Sequence, residues 1–309
     1  MTRTFLTVAA TALLLTACGS GEPGEAGDQV TVVTGFYPLE YAAQRVVGDV
    51  PGVRVETLAS PGVDAHDLEL TPRQVASVQD ADLVVYSAGL QAAVDTAVTD
   101  QAPARSLDVA SVVDLLEDDH DEHEDDEESH EGHDHGGVDP HFWLDPQRYA
   151  LAGDAIADEL ATVDPDNAAA YRANAEQFSA DLRDLDTEFT DALSSCSQDT
   201  LVTTHEAFGY LAERYGFKQV GITGITPDSE PSPARMAEIT DAVKQLDVTA
   251  VYAQSTLGRD LADVISSETG TQVLVLDPIE SITDSSAGTD YLEVMRANLE
   301  SLRQGQGCA

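Results

Sequence analysis

The segment from Asp164 to Ser194 constrains this chain most. It has no glycine, no proline after Pro165, and apolar side chains at helical spacing: Tyr171, Ala175, Phe178, Leu182, Leu185 and Phe189. At 1.5 Å per residue such a helix would extend about 45 Å. Short β-rich runs alternate with helical patterns on both sides of it. Val30–Gly35, Val53–Leu58, Asp82–Ser87 and Ser106–Val109 read as strands before it, with helices over Pro38–Val47 and Pro72–Ala81. Strands over Thr200–Thr204, Lys218–Ile222, Thr249–Ala253 and Gln272–Leu276 follow it, with helices over Glu206–Tyr215, Pro233–Leu246, Leu257–Glu268 and Thr289–Leu302. Alternation of this kind predicts mainly parallel sheets flanked by helices. The expected fold is α/β: two lobes, 29–163 and 195–309, joined by one rigid helix over 164–194. Two shorter helices inside one domain would use the same pattern differently.

The first residues bear on location. Arg3 gives a positive start, Phe5–Leu15 is apolar, and Leu15-Thr16-Ala17-Cys18 precedes Gly19. The apolar run is short of the roughly 20 residues a spanning helix needs and suits a signal peptide over 1–17. Its end resembles a lipobox, which implies lipid on Cys18 and a membrane anchor. The Gly/Glu/Pro-rich residues 18–28 read as a flexible tether. An ordinary secretory signal that happens to contain a cysteine is the plainer reading.

The formal net charge is −42, and Lys218 and Lys244 are the only lysines. Phosphate neutralisation needs clustered Lys and Arg, so nucleic acid is not an expected partner. With Cys18 lipidated in an oxidising compartment, Cys196 and Cys308 remain to form a disulfide. Two isolated thiols without CxxC spacing make a poor metal site. From Glu117 to His135 nearly every residue is Asp, Glu or His: His120, His123, His130, His133 and His135 stand among twelve carboxylates. Such a tract cannot bury a core. It is either a solvated insertion or a weak secondary metal-binding loop.

Three histidines lie outside that tract: His66, His141 and His205. His205 directly follows a strand, as does Asp277, and ligands of open α/β sheets bind beyond the carboxyl ends of strands. His66 lies in a loop just after the strand ending near Leu58, and His141 in the Pro-bounded segment Asp139–Pro146. Three imidazoles and one carboxylate, two donors from each lobe, suit tetrahedral Zn²⁺. A manganese site would use more oxygen. Asp277 is the expected fourth ligand.

Gly62-Val63-Asp64-Ala65-His66-Asp67, Asp139-Pro140-His141-Phe142-Trp143-Leu144-Asp145-Pro146, Thr203-Thr204-His205-Glu206-Ala207-Phe208-Gly209-Tyr210 and Leu274-Val275-Leu276-Asp277-Pro278 resemble, in order, the zinc/manganese solute-binding proteins of ABC importers. The resemblance runs from about Val30 to Cys308. It implies two α/β lobes on one long helix, a metal at their interface, an ABC permease as partner, and a monomer. Carried over, the ligands are His66, His141, His205 and Asp277; some members fill the fourth position with water or another carboxylate, and Glu280 is the nearby substitute. Manganese-type members often have glutamate at the third place, so His205 favours zinc over manganese or iron. An acidic, His-rich loop is implied in the zinc-type members.

An enzyme is the rival class. His205-Glu206 opens an HExxH pattern, but residue 209 is glycine and the second helical ligand is missing. No GxSxG or phosphate-binding loop appears. A zinc-dependent adhesin or structural lipoprotein is a third class, one that metal removal would unfold.

Overall fold

The computed structural model describes residues 29–117, 137–226, 230–254 and 259–309. The signal peptide, the tether, Cys18, the five histidines of the acidic tract and the expected helix start at Leu257 lie outside them.

In the N-terminal half, β1 (Val30–Thr34), β2 (Val53–Thr57), β3 (Leu83–Tyr86) and β4 (Ser106–Asp108) pair in parallel in the order β2-β1-β3-β4. In the C-terminal half, β5 (Thr200–Thr203), β6 (Lys218–Gly221), β7 (Ala250–Ala253) and β8 (Gln272–Val275) repeat the pattern as β6-β5-β7-β8, again parallel. The central strands are short Val-rich runs covered by helices on both faces, which is why they lack polar alternation. Each order reverses at the first strand, leaving a crevice at its carboxyl end.

The helices are α1 (Tyr37–Val47), α2 (Pro72–Asp80), α3 (Ala92–Gln101), α4 (Pro146–Val163), α5 (Ala168–Leu193), α6 (Gly209–Tyr215), α7 (Pro233–Gln245), α8 (Arg259–Thr269) and α9 (Tyr291–Gly305). Three of them open on a cap followed by proline: Thr71-Pro72, Asp145-Pro146 and Ser232-Pro233. The cap oxygens accept from Gln74 N, Gln147 N and Arg235 N. Each cap stabilises its helix by about 1 kcal/mol, and proline there loses no bond because its missing N–H has no intrahelical partner.

The long helix is shorter than the sequence suggests. Pro165–Asn167 forms a 3₁₀ turn, and α5 proper begins at Ala168. All six apolar positions read from the sequence are buried. The helix does not stand free between lobes. Helix α4 runs antiparallel along it, from Asp158 beside Arg172 to Gln147 beside Asp186, while α1 meets its first half and α6 and α9 its second. Gly153 of α4 lies so close that a Cβ there would be 2.7 Å from Phe178 Cδ1. The last helix then reaches back across the molecule: the Tyr291 ring lies 4.7 Å from Tyr149 of α4 and 5.7 Å from Tyr41 of α1. One apolar cluster therefore runs through both halves, with a second beneath the C-terminal sheet. A disulfide joins Cys196, just after α5, to Cys308, just after α9.

Candidate metal centre

Four stretches of chain converge at the carboxyl ends of the two sheets. His66 comes from the loop between β2 and α2, where its N–H donates to Asp64 Oδ1 at 2.9 Å. His205 follows β5 at the point where the strand order reverses. Its Nδ1–H donates to Gly224 O at 3.1 Å, which leaves the Nε2 lone pair to face inward. His141 sits ahead of a 3₁₀ turn, Phe142–Leu144, and is fully buried. Asp139 Oδ1 accepts from both its backbone N–H at 2.9 Å and its Nδ1 at 2.7 Å, so this Nε2 also points into the cluster. Glu280 follows β8.

Ligand atoms of His66, His141, His205 and Glu280 all lie within 4.8 Å of one another. His141 Nε2 is 3.3 Å from Nε2 of His66 and 3.3 Å from that of His205. Glu280 Oε1 is 3.8, 3.5 and 3.4 Å from Nε2 of His66, His141 and His205. A regular tetrahedron with edges of about 3.4 Å has its centre about 2.1 Å from each corner, the Zn–N and Zn–O bond length. Lone pairs turned on one another at this range repel unless a cation or protons lie between them. Burial lowers the pKa of His141, but the Asp139 and Glu280 carboxylates outweigh it and raise it to about 9. Burial pushes the Glu280 carboxyl up, and the His141 and His205 imidazoles, with His66, bring it well below the usual range. The donor set is thus built for positive charge, and it fits a zinc ion.

The His141 loop is clamped from the C-terminal half. Tyr210 OH donates to Asp139 O at 2.5 Å and accepts from Leu116 N at 2.9 Å. Trp143 Nε1–H donates to Pro278 O at 2.7 Å, and Tyr291 OH donates to Trp143 O at 2.6 Å. One bond, Trp143 to Pro278, ties the segment bearing His141 to the segment bearing Glu280.

Three of the four expected ligands come together; Asp277 does not join them. Its Oδ1 accepts from Ile279 N at 2.8 Å, its N–H donates to Asn298 Oδ1 at 2.8 Å, and its C=O accepts from Asn298 Nδ2 at 2.7 Å. It shapes the turn after β8, and three residues later Glu280 takes the fourth corner. The rule that ligands follow strand ends points to the first acid, whereas the turn delivers the second. Asp139 orients the His141 ring, and an acid two residues before a candidate ligand is the sequence signal for that role.

A family model described as the zinc-uptake complex component A, periplasmic, matches residues 32–305. The chain belongs to this family. A "high-affinity zinc uptake system protein ZnuA" of Bacillus subtilis is 35% identical over 305 residues, which cover 96% of this chain and 95% of that protein. The "zinc-binding lipoprotein AdcA" of Streptococcus pneumoniae is also 35% identical, over 95% of this chain, but the chain spans only 58% of that relative's length. The crystal structure of Zn(II)-bound AdcA from the same species superposes with a TM-score of 0.75 at 34% identity, covering 90% of this chain and 58% of that one. As a component A protein, the chain falls in a transport family and not an enzyme family.

Proposed function

We propose that this protein captures Zn²⁺ between its two halves and delivers it to an ABC permease. The observation that carries this reading is the convergence of His66, His141, His205 and Glu280, whose ligand atoms lie within 4.8 Å of one another, with five of the six separations at 3.3–3.8 Å. A single oxygen donor favours zinc over manganese, which would draw more. Four protein donors leave no open corner for a catalytic water, which argues against hydrolysis. The relatives' names, zinc uptake and zinc-binding lipoprotein, support the same cargo.

The finer points rest on the sequence. Lipid on Cys18 would hold a monomer on the extracytoplasmic face of the membrane, with residues 1–17 removed. Among the described residues no helix is long and apolar enough to cross a membrane; a separate permease would carry the ion across. The acidic tract Glu117–His135 would bind further zinc weakly. Deleting it should lower zinc stoichiometry and leave one tight site.

Titration calorimetry on metal-free protein tests the reading, with zinc, manganese and ferrous iron in competition. Zinc is expected to win at one tight site, and far-UV circular dichroism should barely change on its removal. Manganese preference, or unfolding on chelation, would sink the proposal.

A further inference from the structure

Among the described residues only two non-glycine positions have a positive φ: Asp247 at 50° and Ile279 at 60°. Asp visits this region with some ease. A β-branched residue there is an outlier, because its Cβ crowds the backbone. Ile279 is fully buried and immediately precedes Glu280.

The chain changes character at this residue. Upstream everything is tethered: Leu276 N–H bonds to Ala253 O at 3.0 Å, Asp277 is gripped on both backbone groups by Asn298, and Pro278 O is held by Trp143. Residues 276–279 are buried, and burial gives way to a half-exposed loop from Glu280 onward. Glu280 Oε1 faces the three imidazoles, and beyond it Ser281 Oγ accepts one long bond from Gly62 N at 3.3 Å. The three imidazoles have no comparable joint. Those of His141 and His205 are each fixed from behind, by Asp139 and by Gly224 O.

We propose that Ile279 is a strained pivot that biases Glu280 to withdraw from the cluster, so that this carboxylate is the first donor to leave when the ion is released. The proposal rests on Glu280 being a zinc donor. With the ion present, attraction for the carboxylate holds the left-handed backbone. When the loop after Glu280 is pulled, relief of the backbone favours the open arrangement while the imidazoles keep their places. Strain of this kind persists where surrounding contacts over-determine it, and it collects at ligand clamps.

The test compares Ile279→Gly with Ile279→Ala. Both delete the buried side chain, but only glycine removes the left-handed penalty. Zinc dissociation into excess chelator, followed by stopped flow, should be roughly tenfold slower in Ile279→Gly than in Ile279→Ala, the scale of that penalty. Equal rates, or faster release from Ile279→Gly, would overturn the pivot. In a Glu280→Ala background the difference should vanish, and its survival there would also overturn it. Should Glu280→Ala alone leave zinc affinity untouched, the ligand assignment fails instead. If both Ile279 variants lose their circular dichroism, amide exchange in the unaltered protein decides. Zinc should slow exchange at residues 280–283 at least tenfold more than at Asp277 and Asn298, and uniform slowing would refute the pivot.

Discussion

At the scale of single residues, the site is a contest between burial and charge. Desolvation disfavours an imidazolium at His141, yet Asp139 behind it and Glu280 in front raise its pKa to about 9. The proton is therefore bound at neutral pH in the metal-free protein, and zinc must displace it. The sign follows: apparent affinity rises with pH, by about tenfold per unit for the one proton, until about 9, and then flattens. Calorimetry at pH 7 in buffers of different ionisation enthalpy should register one proton released per zinc from this residue. Asp139→Asn should reduce that release, since the neutral amide no longer favours the proton. His141→Ala and His205→Ala should each weaken zinc by orders of magnitude, and unchanged affinity in either would remove that residue from the site. The three imidazoles were legible because each stands in a Pro-, Gly- or strand-bounded segment outside the acidic tract. The fourth donor was less so, because Asp277 and Glu280 differ only in which way a turn points.

At the scale of elements, sheets and caps follow closely from the sequence, since Val-rich runs and cap-proline pairs act locally. Two elements depart from the expected pattern, one for a tertiary reason and one for a local one. Helix α6 was expected from Glu206 but starts at Gly209. Glu206 N–H donates to Gly224 O, and Thr223 N–H bonds to Thr204 O, so the residues around His205 are committed to the site and cannot enter a helix. Helix α3 (Ala92–Gln101) was not anticipated: its Val, Thr and Asp content gives it neither strong propensity nor a clear apolar stripe. The α4–α5 contact yields a further prediction. Gly153→Ala would drive a methyl into Phe178 and should destabilise the protein by about 1–3 kcal/mol. Urea titration would measure this, and zinc affinity should stay the same, because neither residue touches the donors.

At the scale of the whole molecule, the halves share one apolar core through α5 and α9, and hydrogen bonds from Trp143 and Tyr210 cross between them. A wide clamshell opening would tear this core, so capture and release should proceed by small tilts and loop movement. Small-angle scattering should give nearly the same radius of gyration with and without zinc; a large change would contradict the shared-core account. The alternating pattern announced two α/β halves and a long helix. That Tyr291, at the start of the final helix, meets rings of α1 and α4 could not be read, because a tyrosine in a C-terminal helix does not say which rings it will meet. The central claim is that four distant donors hold one zinc ion. Diffraction at the zinc absorption edge from crystals of the loaded protein tests it most directly. The account predicts one strong anomalous peak about 2.0–2.2 Å from Nε2 of His66, His141 and His205 and from a carboxylate oxygen of Glu280. A peak elsewhere, or one beside Asp277 with Glu280 turned away, would contradict it.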